Sequence, residues 1–465
     1  MRSKEMMRHI ILTISIYLLS FSVPHLSFAM DSELLLRKII KQNYIRPLTT
    51  KPFEKTKKFL LGQALFFDPL LSGNRDISCA TCHLLKLGTS DAVPLAIGTK
   101  GSGLGKARKI NLRDVVPRNS LDLWNRDNNS VKSLFWDGRV EVLDPKRRVF
   151  RSPLEDLLPQ GLDNALAVQA LFPLARDDEM LGLPGDRSSK NLPAKHAYLK
   201  NEIADGVKGL KGPKKIKATH RLIMDRLLGL KINELESSQR KYRELFQNAY
   251  PKKSIEDFSI VELGNAIAHF EEIAFATRNV PWDQYLLGNN TAITERAKIG
   301  AIIFFGKGKC AVCHNGPLFS DFEFHSLSVK QVGPGINISG DDKGRYHATK
   351  MKKDIYKFRT PPLRNVTLTA PYFHDGVAGT LTEAIVHHLD PHYLADKYDE
   401  TGAYELNSEQ IESLSFVLKN RTSLSTFDIT VLIEFLKMLE DSQLEMREKI
   451  IPTSVPSGLP INNSQ

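Results

Sequence analysis

Cysteine is scarce in this 465-residue chain, and none is spare. All four cysteines fall in two words of one form, Cys79-x-x-Cys82-His83 and Cys310-x-x-Cys313-His314. A chain this long can bury an ample core, so a disulfide framework is not needed to hold it. Long apolar runs are missing too. Beyond the N-terminus none is long enough to span a bilayer. Sustained strand-like alternation is scarce, which leaves a mostly α reading. The densest basic run, KGLKGPKKIKATHR at 208–221, has no interleaved aromatic residue. In an exported protein that argues against nucleic acid. The run reads as a solvated loop or, more sharply, as a docking patch for an acidic partner.

The N-terminus carries the exception to the apolar scarcity. MRSKEMMR is a short basic region, and HIILTISIYLLSFSV is an apolar stretch interrupted by Pro24. Ser27 and Ala29 stand at small-residue cleavage positions, so cleavage is expected after Ala29. The expected product is a periplasmic protein without stable membrane insertion. Removal of residues 1–29 lowers the formal charge from +11 to +9.

Helical stripes recur through the rest. SIVELGNAIAHF aligns Ile260, Val261, Leu263, Ile267 and Phe270; ITVLIEFLKML aligns Ile429, Leu432, Phe435, Leu436 and Leu439. Further helices are expected at 33–43, 163–172, 234–248 and 292–305. GTKGSGLGKARK and QVGPGINISGDDKG read as long loops. Each cysteine word follows a helix-like segment, and LGQALFFDPLLSGNRDISCATCH is weakly similar to KIGAIIFFGKGKCAVCH. Two copies of one small module follow, each built round one word.

Two thiols on one helical turn can form thioether bonds to the vinyl groups of a haem, and the next histidine then lies against the porphyrin as an iron ligand. A single zinc site from all four cysteines needs the pairs about 15–20 residues apart. Here they are separated by 231 residues, and each carries the trailing histidine. A thioredoxin-like pair needs a βαβ context that is lacking. Two covalent haem c groups are therefore expected, on Cys79, Cys82, Cys310 and Cys313, with His83 and His314 as proximal ligands. An enzyme would need, in addition, an open iron position and placed acid–base groups.

At this point the chain resembles the bacterial diheme cytochrome c peroxidases and the related MauG-type enzymes. The likeness runs from about Leu61 to about Leu439, on the segments LGQALFFDPLLSGNRDISCATCH, PRNS, FWDGR, FPLARDDEM, GKCAVCHNGP, DDKGRY and PPLRNVTLTAPYFHDGVAGTLTEA. It implies a peroxidatic haem in the N-terminal domain and an electron-transfer haem in the C-terminal one. It implies Trp136 of FWDGR between them. It also implies a distal carboxylate at Glu179, with Pro173 six residues before it and Gln169 four before that. Splitting hydrogen peroxide heterolytically moves a proton from one oxygen to the other, which a carboxylate can carry. A glutamine amide beside it can polarise the O–O bond. A proline narrows the pocket and removes one backbone donor.

Three departures matter. Where many of these peroxidases have a loop histidine capping the peroxidatic iron, LAIGTKG has Thr99, and no histidine occurs between His83 and His196. The first haem is therefore expected to be open at rest, as in MauG-type enzymes. The segment between Trp136 and Gln169 is longer than in the short peroxidases. The second haem's distal ligand, Met or Tyr by branch, falls fourteen residues after His374, at His388, with His387 the neighbouring alternative. An imidazole there would lower that haem's potential. The likeness further implies a calcium ion between the domains, held by Asn119, Thr369 and Pro371, and oxygen ligands at a loop junction suit calcium.

The expected architecture is mostly α, with two cytochrome c-like haem domains and long connecting loops. The expected divisions are a signal peptide at 1–29, domains at 30–285 and 286–450, and a disordered tail at 451–465. The expected activity is reduction of hydrogen peroxide with electrons from a small redox protein, a cytochrome c or cupredoxin. The alternatives are MauG-like oxidation of a partner protein's side chains and simple electron carriage. The resemblance also leaves room for a homodimer.

Overall fold

The computed structural model describes residues 23–109, 115–329, 342–398, 406, 408–420, 422–443 and 449–461. Residues 1–22 of the expected signal peptide and most of the QVGPG loop lie outside them. The longer helices are α1 (Val23–Gln42), α2 (Lys57–Phe67), α3 (Gly212–Leu228), α4 (Ser237–Ala249), α5 (Ile260–Ala274), α6 (Glu295–Phe305), α7 (Leu381–Leu389) and α8 (Thr426–Lys437). Helix α1 runs through the expected cleavage point after Ala29. Among the described residues no helix is long and apolar enough to cross a membrane.

Two helix pairs build two cores, and they share one design. Thr56 caps α2 by accepting from the Phe59 amide (3.1 Å), and Thr294 caps α6 by accepting from the Ala297 amide (3.1 Å). Helix α2 crosses α5 at Gly62, and α6 crosses α8 at Gly300. A Cβ on Gly62 would lie 2.0 Å from the Ala266 carbonyl oxygen, and one on Gly300 2.0 Å from that of Val431. Only glycine lets the backbones approach so closely. Four residues after each glycine a phenylalanine packs on the partner helix: Phe66 on Phe270 (5.1 Å between rings) and Phe304 on Phe435 (5.3 Å). The weak similarity of the two segments is thus a repeated helix crossing, and each crossing is followed by its cysteine word.

Strand is short and local. The strands β1 (Ser133–Leu134), β2 (Val140–Asp144) and β3 (Val149–Arg151) form an antiparallel sheet with Leu134 opposite Val140 and Glu141 opposite Arg151. Strands β2 and β3, with a turn at Glu155–Leu157, occupy the extra length between Trp136 and Gln169. Strands β4 (Phe324–His325) and β5 (Phe358–Arg359) pair antiparallel in the second half. The basic run is not the solvated loop of the first expectation. From Gly212 it is the start of α3, whose other face buries Ile223, Met224, Leu227 and Leu228. Pro213 in the first turn suits a helix start.

The chain ends correct the expected divisions. Apart from the terminal segments and from Leu318 and Phe322, which return to the first core, the first core runs to Phe275 and the second starts at Val280, so the junction falls before residue 285. Helix α1 belongs to the second core: Leu36 is buried there, Ser32 donates to Glu295 (3.1 Å) and Lys298 pairs with Glu33 (2.8 Å). The tail is not disordered through residue 461; residues 462–465 lie outside the described set. Ile450, Val455 and Leu459 are buried in the first core. Ser457 donates its hydroxyl (2.6 Å) and amide (3.1 Å) to Asp68, which also accepts from the Tyr242 hydroxyl (2.8 Å). A polar composition suggested disorder, but three spaced apolar residues and one buried carboxylate are enough to dock it. Each half is therefore closed by a terminal segment from beyond the other.

Asp68→Ala should release that tail. Asp68 also accepts from the Leu70 amide (2.9 Å), and removing an acceptor of four buried donors costs about 1–3 kcal/mol for each group left unpaired. Lower thermal stability and new protease cleavage within 449–461 are expected by calorimetry and peptide mass mapping.

Candidate active site

The first word forms a single helical turn, Cys79–Cys82, beginning where the Ser78 amide donates to Thr81 Oγ1 (3.0 Å). His83 ends it, its amide bonded to the Cys79 carbonyl (3.1 Å). The second word makes a turn at Cys310–Val312, and the His314 amide bonds to the Cys310 carbonyl (2.9 Å). The imidazoles are then oriented alike. His83 Nδ1 lies 3.0 Å from the Thr89 carbonyl oxygen, and His314 Nδ1 lies 3.0 Å from that of Phe319. A carbonyl oxygen only accepts, so in each ring Nδ1 carries the proton and Nε2 keeps its lone pair for a metal. Burial depresses the proton affinity of both, and His314 is pulled down to about 4 by burial with His388 adding to it.

A cavity of about 250 Å³ opens beside the second word. Cys310, Cys313, His314 and His388 line it, and apolar side chains such as Phe304, Leu363, Leu381 and Leu432 make its walls. His388 sits in the last turn of α7 and donates Nδ1–H to the Ala384 carbonyl (2.7 Å). The His314 and His388 ring centres are 6.3 Å apart. Two imidazoles bound to opposite sides of one metal, with nitrogen–metal bonds of about 2.0–2.1 Å, have ring centres roughly 6–6.5 Å apart. His387 does not line the cavity; its Nε2 lies 3.0 Å from the Leu327 carbonyl oxygen. Of the two neighbours, the geometry favours His388. Apolar walls, two cysteines and a pair of facing imidazoles fit a haem c. Cys313, Asp321 and His325 also offer three ligand atoms within 4.8 Å of one another. That sulfur is the one the haem word uses, so they form no separate site.

The groups near the first word are different. Gln169 ends a short helix capped by Asn164, whose side chain accepts from the Ala167 amide (2.9 Å). Pro173 begins the next turn, Pro173–Ala175, and Glu179 sits in a single π-helical turn, Asp177–Leu181. Such wide turns are frequent at functional sites. Gln169 Oε1 is buried without a hydrogen-bond partner, as fits an amide waiting for a ligand. Arg176 pairs with Glu179 (3.2 Å) and with Asp178. Burial raises the Glu179 carboxyl above its ordinary value; Arg176 and Arg139 oppose the shift and Asp178 adds to it. Glu179 is also close enough to Cys82 to act on it electrostatically. The stretch Phe135–Arg139 closes the group: Arg139 lies over the Phe135 ring (4.0 Å), and Phe135 meets Phe172 edge-on.

Thr99 is fixed rather than mobile in its contacts. Its amide donates to the Glu179 carbonyl (2.7 Å), its hydroxyl donates to Asp76 (2.9 Å), and the hydroxyl oxygen accepts from Asn74 (2.8 Å). Arg108 clasps the same loop through the carbonyls of Ile97 (2.8 Å), Gly98 (2.6 Å) and Gly103 (2.9 Å).

Trp136 stands between the two assemblies. It lines the second cavity, while its neighbour Phe135 belongs to the first group. Its indole donates to the Asn119 carbonyl (3.0 Å). Asn119, Thr369 and Pro371 border the same cavity, and the Asn119 amide nitrogen donates to the Val93 carbonyl (2.9 Å), leaving Oδ1 free to bind a cation. Arg139 and Arg359 were not among the residues singled out from sequence. Both lie in quoted segments or at their edge, but a charge in a motif does not announce whether it is paired.

The chain resembles known proteins over most of its length. The family model for di-haem cytochrome c peroxidase matches residues 56–291. The chain is 30% identical to the cytochrome c551 peroxidase of Pseudomonas aeruginosa, over 70% of this chain and 69% of that one. It is 27% identical to the methylamine utilization protein MauG of Methylorubrum extorquens, over 72% and 69% of the two. Among solved structures, a MauG-like protein associated with microbial copper homeostasis superposes with a TM-score of 0.55 at 24% identity, covering 86% of this chain and 95% of that one. The diheme peroxidase BthA from Burkholderia thailandensis gives 0.56 at 18% identity, covering 89% and 91%. The mostly helical fold is common to all of them. With the family model spanning half the sequence, this chain belongs to the di-haem cytochrome c peroxidase family.

Proposed function

We propose that this oxidoreductase reduces hydrogen peroxide at the first cysteine word and receives electrons at the second, from a small periplasmic redox protein such as a cytochrome c or cupredoxin. The observation that carries this is an asymmetry. At the second word His388 faces His314 across the cavity, whereas the groups brought toward the first word are a carboxylate, Glu179, which acts electrostatically on Cys82, and an amide, Gln169, whose Oε1 is buried without a partner. One site is built to pass electrons and the other to do chemistry. Haem c, held by Cys79, Cys82 and His83 and by Cys310, Cys313, His314 and His388, would supply redox-active iron at each.

The remaining work belongs to the chain. The Glu179 carboxylate takes a proton from one peroxide oxygen and returns it to the other, which leaves as water. Two electrons and two protons in total convert each peroxide to two waters. The Gln169 amide orients the O–O bond, and Arg176 holds the carboxylate in place. Pro173 keeps the approach narrow. Trp136 joins the two sites as an aromatic path for electrons. Asn119 Oδ1 with the Thr369 and Pro371 carbonyls would hold a calcium ion beside that path, since hard oxygen ligands suit it. The N-terminal basic and apolar segments support export to the periplasm.

A second reading, MauG-like oxidation of a partner protein, is favoured by one observation. Thr99 is tied by hydrogen bonds to Asp76 and to the Glu179 turn, so its loop carries no ligand to block the first site.

Pyridine haemochrome assay should show two covalent haems per chain, and loss of either cysteine pair should remove one. The all-ferric protein should react with peroxide without prior reduction, with one high-spin and one low-spin signal in electron paramagnetic resonance. Two low-spin signals would reveal an unrecognised capping residue. Glu179→Gln should slow the reaction with peroxide about 10²–10⁴-fold with both haem spectra intact. The parent rate should fall as pH drops through the Glu179 pKa, which lies above 4.5 because burial disfavours the anion. That acid limb should vanish in the variant, whose amide does not titrate.

A further inference from the structure

Six arginines among the described residues are buried: Arg75, Arg108, Arg126, Arg345, Arg359 and Arg364. Four have a carboxylate partner, in Glu202, Asp122, Glu141 and Asp283 respectively for Arg75, Arg126, Arg345 and Arg364. Arg108 has none but places all three guanidinium nitrogens on carbonyl oxygens. Arg359 alone of the six is neither ion-paired nor fully used. It is 1% exposed, and its Nε donates to the Phe135 carbonyl (3.0 Å) and Nη1 to the Thr360 carbonyl (3.3 Å). Nη2 makes no such bond.

The residue lines the second cavity, whose walls are largely apolar. Burial is the main influence on its proton affinity, pulling it down to about 9; Arg126 lowers it further, and Asp122 and Asp137 oppose. It is still protonated at neutral pH. Both of those aspartates already serve other arginines: Asp122 pairs with Arg126 (2.7 Å) and Asp137 with Arg118 (2.7 Å). A buried cation facing an apolar cavity is costly unless an anion meets it. A planar guanidinium with a free edge matches a carboxylate.

We propose that Arg359 binds a propionate carboxylate of the second haem and, by its charge, holds that haem's potential up. This rests on the reading that the second cavity contains haem c. Ferrous haem carries one positive charge fewer than ferric haem, so a fixed cation nearby favours reduction. The effect opposes that of an imidazole at His388, which favours the ferric state. Arg359 is a positioning residue: it also holds Phe135 and Trp136, donating its amide to the Trp136 carbonyl (2.9 Å). One side chain would thus tie the second haem to the aromatic stretch that leads to the first.

The test is spectroelectrochemical titration of the holoprotein and of Arg359→Gln and Arg359→Lys. Arg359→Gln should keep two haems and shift the second haem's reduction equilibrium at least tenfold toward ferric, about 59 mV lower for a one-electron couple. Arg359→Lys should recover more than half of the shift, since it restores charge but not the fork. An unchanged second-haem potential in Arg359→Gln with two haems present overturns the proposal alone. A single haem in the parent overturns the reading beneath it. If Arg359→Gln does not take up its second haem, Arg359→Lys is compared with the parent by the resonance Raman propionate-bending band. A shifted band supports the contact, and an unshifted one overturns it.

Discussion

Two backbone carbonyls, those of Thr89 and Phe319, carry much of the chemical logic of this molecule. Each holds the proton of a buried imidazole on Nδ1, at 3.0 Å, and so presents Nε2 as a base without a proton. Burial reinforces this by disfavouring the imidazolium. A cysteine pair on one turn could do several things. A cysteine pair followed by a buried imidazole in that tautomer is suited above all to a metalloporphyrin. The helix crossings at Gly62 and Gly300 stand behind both words, so the repeated unit is a crossing, a turn and an oriented ring.

From similar beginnings the two units diverge in what surrounds them. One receives His388 from α7, and the other receives the Gln169–Glu179 segment with its wide turn. The divergence is electrostatic as well as steric. Around the first unit, Arg139 and Arg176 face a buried carboxylate, and their charges limit how far burial can raise its pKa. Around the second, the walls are largely apolar and Arg359 lies at them with backbone carbonyls, not a carboxylate, as its hydrogen-bond partners. The stretch from Asn119 to Arg139 touches both, through Trp136 on one side and Phe135 with Arg139 on the other.

The two units are also bound mechanically. Asp283 and Arg364 form a bidentate buried pair inside the second half (2.6 and 2.8 Å), while Arg118 links Asp137 to Asp342 across the halves (2.7 and 2.6 Å). Helix α1 closes the second core and the segment 449–461 closes the first. Relative motion of the halves would have to break the Arg118 pairs with Asp137 and Asp342.

By itself the sequence pointed to the two cysteine words, the histidine that follows each, the helical class and the repeated module. Each of these is written in short-range spacing: cysteines three apart, a histidine next to them, apolar residues at helical intervals. It also picked out Gln169, Pro173, Glu179, Trp136 and His388 by offsets within recognisable words, and of these Trp136 and His388 line the second cavity. Only the tertiary structure decided which terminal segment closes which half, that residues 449–461 are packed, and that the basic run begins a helix. It alone distinguished His388 from His387, because adjacent residues on a helix point about 100° apart and only one reaches the cavity. It alone showed Arg359 to lack a counter-charge. Pairing between residues hundreds of positions apart depends on where the chain returns, and no local pattern records that.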